Sequence, residues 1–212
     1  MCSSDLVHPG DFLVRGIRDI DPVDCDLAES MGFRIRQIAR AVRRHGTLDM
    51  AVEPLLLPSW HLLASVEEEY NAVYLRCVSS GDLSLFGKGA GSLPTATAIL
   101  GDLIDLAQDN SVRWPVPHAL PVAGEDGDAS PAARRHYLRI SGQAHPGLER
   151  KFEGLVRRLG LIVQNRASRI DQDRIHIAFM VSPGSDGQMA DVSAAIGHLA
   201  RVEQRLCLGV MD

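Results

Sequence analysis

The sequence predicts an α+β chain in two parts: a mixed sheet with helices over residues 13–108, then a small βαββαβ sandwich over 136–212. Three observations carry this. The last 77 or so residues alternate short apolar-alternating runs with amphipathic ones in the order strand, helix, strand, strand, helix, strand. A glycine-rich loop, GKGAG, joins an alternating run to a long apolar-periodic run. Between the two parts, residues 109–135 hold Pro115, Pro117, Pro121 and Pro131 with small and acidic residues and no periodicity, the composition of a linker.

The chain has 212 residues, 45% of them hydrophobic and 23% charged, an ordinary globular profile. Its net charge of −5 gives nucleic acid or an anionic membrane no basic surface to hold. Apolar runs such as Leu55–Pro58 and Ala96–Leu100 are far too short to span a bilayer. No basic segment followed by an apolar one marks a signal peptide, so the expected compartment is the cytoplasm. The cysteines Cys2, Cys25, Cys77 and Cys207 are scattered, and the histidines lack the spacing of metal ligands, so neither disulfides nor a metal centre is expected.

In chain order, residues 1–12 show no periodicity, and Met1–Leu6 reads either as a frayed terminus or as residues foreign to the native chain. Asp21 is a helix N-cap, with Pro22 at the first helical position and Asp24 three residues after the cap. Leu27, Met31, Ile35, Ile38 and Val42 recur at three- and four-residue steps, which predicts one helix through Arg44, ended by His45-Gly46. Thr47–Pro58 reads as a strand running into a proline-bounded extended segment, and Ser59 as the cap of a short helix, WHLLASV. Asn71–Ser79 alternates as a half-buried strand does, and the turn Ser80-Gly81-Asp82 returns it as a hairpin through Phe86. After the glycines, Pro94 opens a helix to about Gln108. In the second part the expected elements are strands His136–Ser141, Leu161–Ile170, Arg174–Ser182 and Arg205–Val210, with helices Pro146–Leu159 and Gln188–Val202.

The glycine loop is the first candidate site. A strand, a glycine loop and a helix start present main-chain N–H groups at a positive helix end, suited to phosphate, carboxylate or carbonyl oxygen. Gly87, Gly89 and Gly91 permit close approach to the backbone. The spacing is neither G-x-G-x-x-G nor a P-loop, and by itself the loop reads equally as a tight structural turn. Lys88 either reaches an anion or is solvated; Thr95 and Thr97 either touch ligand or cap the first turn. Glu67-Glu68-Glu69 reads as a solvated charge run rather than an acid/base or metal pair, and His61 as a surface histidine.

The runs GIRDIDPVDCDLAESMGFRIRQIA, VEPLLLP, YNAVYLRC and GKGAGSLPTATAILGDL, in that order over Asp19 through Leu106, resemble the catalytic domain of homoserine dehydrogenases. The resemblance implies NAD(P)-dependent interconversion of L-aspartate 4-semialdehyde and L-homoserine in threonine and methionine biosynthesis. It implies that Gly87, Gly89, Ala90 and Gly91 give backbone contacts to NAD(P), with Thr95 adjacent. The family's dinucleotide fold and catalytic lysine precede the matching segment. Of 22 basic residues only Lys88 and Lys151 are lysines, and neither falls at the catalytic position, so no catalytic residue is carried over. The isolated chain is therefore expected to be inactive.

HYLRISGQAHPGLERKFEGLVRRLGLIVQN resembles an ACT domain, a ferredoxin-like module that binds amino acids. It implies effector contacts at His145, Pro146 and Gly147, although Ala144 and His145 stand where the family usually has an acidic and then a basic residue. Two readings follow: feedback control by threonine bound between paired domains, or a dimerisation module with a degenerate site. Both imply a homodimer. The alternative for the whole chain is a non-enzymatic amino-acid sensor acting on a partner.

Overall fold

The structure, a computed structural model, describes residues 12–44, 47–108, 134–144, 147–184, 186–197 and 202–211. The expectations for residues 1–11, His45-Gly46, the linker at 109–133, His145 and Pro146 lie outside these. The chain forms two compact units: one of residues up to Ser59 together with those from Ala119 onward, the other Trp60–His118. One division falls within the expected linker and a second, not expected, follows Ser59, because residues 13–59 share a sheet with the C-terminal sandwich.

In the first unit, β1 (Leu13–Val14) precedes α1 (Pro22–Ser30), β2 (Phe33–Arg44) and β3 (Thr47–Pro58). The N-terminus of α1 forms as its sequence dictates. The Asp21 carboxylate accepts from Val23 N–H at 3.1 Å, and Asp21 N–H donates back to Asp24 Oδ2 at 2.9 Å. The predicted helix through Arg44 is corrected: it ends at Gly32, whose φ of +85° suits glycine, and the chain continues as a 12-residue strand. β2 pairs antiparallel with β3 from Phe33↔Pro58 to Arg44↔Thr47. Pairing along its whole length outweighs the helical spacing, which Leu27 and Met31 satisfy in the helix while Phe33 and Ile35 reach the same core by alternation.

The rest of the unit is β6 (Arg134–Gln143), α3 (Leu148–Arg158), β7 (Val163–Asp171), β8 (Arg174–Gly184), α4 (Asp186–Gly197) and β9 (Val202–Val210), the expected βαββαβ order. Its strands lie in the order β9-β6-β8-β7, and β9 continues into β3 by parallel pairing at Leu55↔Gly209 and Leu56↔Val210. The expected turn at Asp171–Asp173 joins β7 to β8, with Gln172 at φ +51°. Alternate side chains of the sheet enter two cores. Leu138, Ile140, Ile177, Phe179 and Val181 pack on α3 and α4, where Phe152 lies 4.8 Å from Phe179 between ring centroids. Tyr137, Ala178, Met180, Leu206 and Leu208 pack on α1. A sheet covered on both faces accounts for strands with few solvent positions.

In the second unit, a 3₁₀ turn at Leu62–Ser65 is followed by the hairpin β4 (Tyr70–Cys77) and β5 (Gly81–Lys88), then α2 (Ser92–Ala107). The short helix is capped by His61, not by Ser59: Nδ1 of the ring accepts from Leu63 N–H at 3.1 Å. His61 is buried rather than a surface residue. Burial and the nearby Arg76 guanidinium hold its imidazole below the usual range, keeping Nδ1 an acceptor. No described helix is long and apolar enough to cross a membrane.

Candidate functional site around the glycine loop

The hairpin has two unlike faces, fixed by its register. Tyr70↔Lys88 and Ala72↔Phe86 share one; Asn71↔Gly87, Val73↔Leu85 and Leu75↔Leu83 share the other. On the first face the rings of Tyr70 and Phe86 stack at 4.9 Å, and the Lys88 ammonium sits 5.4 Å from the Tyr70 centroid. Lys88 also binds the Glu69 carboxylate at 2.8 Å, which holds that carboxyl below its ordinary range. Lys88 is therefore not a lone solvated cation. Glu69 of the acidic run is its partner.

Beyond Lys88 the chain passes Gly89, whose N–H donates to Glu69 O at 2.8 Å, and reaches Gly91, the residue before α2. Gly91 has φ +114° and ψ 156°, a conformation open only to glycine. No side chain caps the helix, so the first-turn amides of Ser92 and Leu93 face outward from an exposed loop. The Thr95 hydroxyl donates to Gly91 O at 2.8 Å and that of Thr97 to Leu93 O at 2.9 Å; both serve the helix itself, leaving only oxygen lone pairs for another group. Gly89, Ala90 and Gly91 thus lie in the exposed loop before the helix, with Gly87 near the end of β5 and Thr95 in the first turn of α2. The turn is not packed shut against its own core. Its donors suit an anionic or carbonyl-bearing ligand, and no described side chain fills the space above Gly87. α2 buries none of its residues, and Leu93, Ile99, Leu100, Leu103, Ile104 and Leu106 are exposed along it.

Of the second candidate set only Gly147 is described. It precedes α3 with φ +85°, in the left-handed region, and no side chain caps that helix either.

Sequence reasoning missed a buried polar chain in the first unit. Asp24, fully buried, takes Tyr137 O–H at 2.9 Å and Arg139 Nε–H at 2.5 Å on Oδ1, while Oδ2 keeps the helix cap. Arg139 donates from its other side to Ser141 Oγ at 2.5 Å, and Ser141 meets His176 Nδ1 at 2.8 Å. Burial, and then the Asp24 carboxylate, drive the Tyr137 phenol far above its ordinary range. Burial together with Arg139 and Arg174 lowers the His176 imidazole, favouring its neutral form. The signal lay in the parity of Tyr137, Arg139 and Ser141 on one strand face. Each member is engaged by the next, and the chain is a structural tie between α1 and the sheet. Among the described residues no group of three His, Cys, Asp or Glu side chains gathers as metal ligands would.

Comparison with known proteins bears on the loop directly. Residues 2–104 match the family model for homoserine dehydrogenase. The homoserine dehydrogenase of Neisseria gonorrhoeae is 27% identical over 208 residues, 94% of this chain and 48% of that protein. That of Pseudomonas aeruginosa is 30% identical over 158 residues, 71% of this chain and 36% of the relative. Among solved structures, a homoserine dehydrogenase from Thiobacillus denitrificans has the same fold, with a TM-score of 0.71 and 24% identity over 93% of this chain and 47% of the other. The Staphylococcus aureus enzyme at pH 7.0 gives 0.63 at 22% identity, over 99% of this chain and 50% of that one. The chain spans about half the length of these relatives. Its matched segment contains the capped helix α1, the strand pair β2–β3, the hairpin and the glycine loop. The chain belongs to the homoserine dehydrogenase family.

Proposed function

We propose that this chain is the C-terminal part of an NAD(P)-dependent homoserine dehydrogenase, acting between L-aspartate 4-semialdehyde and L-homoserine in threonine and methionine biosynthesis in the cytoplasm. The observation that carries the reading is the family match over residues 2–104, which takes in an exposed glycine loop at an uncapped helix start. The residues present fit the cofactor's polar groups. Gly87, Gly89, Ala90 and Gly91 offer bare backbone, and the outward amides of Ser92 and Leu93 favour an electronegative oxygen. When bound, the cofactor supplies the hydride exchanged with the aldehyde carbon. This chain's part is to hold and orient it, with Lys88 paired to Glu69 beside the loop.

The exposed apolar side of α2 supports the same reading, because a helix burying none of its own residues has a surface to give to the rest of a larger fold. The test is NADPH oxidation with aspartate semialdehyde. The chain alone gives no turnover; joined to the N-terminal half of a relative, it restores activity, which Gly89→Asp then abolishes. Turnover by the 212 residues alone, or indifference of the joined enzyme to Gly89→Asp, refutes this assignment of roles.

The βαββαβ half we read as an ACT-type regulatory module taking an amino-acid effector, threonine by family, at His145, Pro146 and Gly147. The left-handed Gly147 at the start of α3 supports this reading. Among the described residues β7 pairs on one side only, with β8, and so offers an edge for a homodimer. Titration calorimetry with L-threonine tests it: heat at sub-millimolar concentration is expected, and silence at about 10 millimolar leaves the module a scaffold alone.

A further inference from the structure

Asn71 is the one polar side chain on an otherwise apolar hairpin face, shared with Val73, Leu75, Leu83 and Leu85. It stands at the end of that face nearest the loop, directly across from Gly87. A Cβ built on Gly89 would lie 1.7 Å from Asn71 Nδ2, 2.4 Å from Cγ and 3.1 Å from Oδ1. The carboxamide therefore occupies the place a side chain at 89 would need, and such a side chain would displace it. A Cβ on Gly87, by contrast, would meet nothing within 4 Å. The carboxamide is thus laid against the bare backbone of Gly89 and stands clear of Gly87. It is exposed, on the face opposite Lys88, with open space beside it.

A solvated asparagine on a strand has no need to lie against a glycine. Here Nδ2 lies nearest the glycine and Oδ1 farthest from it, which sets the donor and acceptor edge of the carboxamide beside the loop. The ligand group matching that edge is another primary carboxamide, which offers oxygen to N–H and N–H to oxygen in one plane. We infer that Asn71 is a further ligand-contacting residue of the glycine-loop site, its carboxamide pairing with that of the nicotinamide ring. The inference rests on the loop being the cofactor contact. It adds a side chain to what is otherwise a site of main-chain groups, and it makes Gly89 and Asn71 one unit.

The experiment uses nicotinamide mononucleotide, which carries the ring, ribose and one phosphate without the adenosine half, titrated at millimolar concentration into the ¹⁵N-labelled 212-residue chain. The backbone amides of 87–93 and the side-chain NH2 pair of Asn71 are expected to shift together. Ribose 5-phosphate, which lacks the carboxamide, is expected to move the backbone amides alone. Asn71→Ala weakens mononucleotide binding about three- to tenfold, the worth of one or two neutral hydrogen bonds. Gly89→Ala, which drives the carboxamide from its seat, weakens it comparably, and the double variant is no worse than either. If the loop amides respond while the Asn71 NH2 pair does not, or Asn71→Ala binds as the parent does, the role of Asn71 is overturned and the loop reading stands. If neither probe moves any amide of 87–93, both fall. The side-chain signal of the unaltered chain decides the matter even where a variant does not fold.

Discussion

Replacing Arg139 with methionine keeps the unbranched apolar stem of the side chain and removes its charged head, leaving the Asp24 carboxylate buried at the interface of α1 with the sheet. Asp24 is 0% exposed and the Arg139 side chain 3%, so water screens neither. Breaking such a pair from one side costs about 3–5 kcal/mol. Asp24 retains the Tyr137 hydroxyl and the Asp21 amide, which argues for the lower end, about 3 kcal/mol. With a urea dependence of about 2 kcal/mol per molar, the unfolding midpoint falls by about 1.5 M. The assay is urea denaturation followed by far-UV circular dichroism, with the coupled variant Asp24→Asn/Arg139→Met alongside. Neutralising the stranded carboxylate recovers a large part of the loss, so the pair is less destabilised than the two single losses summed. A cost below about 1 kcal/mol for Arg139→Met, or full additivity in the double variant, refutes the argument that this interface depends on charge compensation.

Other consequences are as direct. The His176 imidazole is depressed by burial, Arg139 and Arg174, opposed weakly by Asp21 and Asp171, so below the ordinary imidazole value near pH 6.5 the unfolded chain takes a proton that the folded one refuses. Stability therefore falls as the pH drops through that value and levels off once it passes the lowered native pKa; in His176→Gln the slope between about pH 7 and 5 is expected to be shallower, as equilibrium unfolding at each pH will show. Gly91→Ala forces a side chain into φ +114°, costing about 1–3 kcal/mol, and hydrogen exchange should show it as faster opening of α2 with the sandwich unaffected. Lys88→Met frees Glu69, whose carboxyl titration by ¹³C NMR moves up towards the ordinary range; an unmoved midpoint would deny the ion pair.

Local signals were legible where local physics decides. The capping box of Asp21 and Asp24 and the Gly91–Pro94 helix start formed where the residues indicated, and so did the order of the C-terminal elements; the hairpin formed too, but it turns at 78–80, with Gly81 and Asp82 already in β5. Phe33–Arg44 misled because its helical spacing is equally an alternation of Phe33 and Ile35 with Arg34 and Arg36, and only a partner strand chooses between them. Gly32 was the sign, since a left-handed glycine ends helices. Arg139 carried no local sign of its role within the strand His136–Ser141. It was hidden because α1, more than a hundred residues earlier, covers that face. Asn71 escapes a sequence reading for the same reason: alternation assigns it to an exposed face and says nothing of the glycine it lies against.

The seam between β3 and β9 has an evolutionary consequence. Arg134 crosses it, its guanidinium lying over Gly209 and gripping Glu53 at 2.9 and 3.2 Å, while Met211 N–H closes on Leu56 O at 2.8 Å. The family model ends before the sandwich begins, yet β3 is hydrogen-bonded into the sandwich's sheet, and relatives match across both parts. Grafting a foreign sandwich onto residues 13–59 would strand Asp24 without Arg139 and leave Glu53 with Arg40 alone. Exchange of one part for a foreign one is therefore expected to cost stability unless these charges are rebuilt with it.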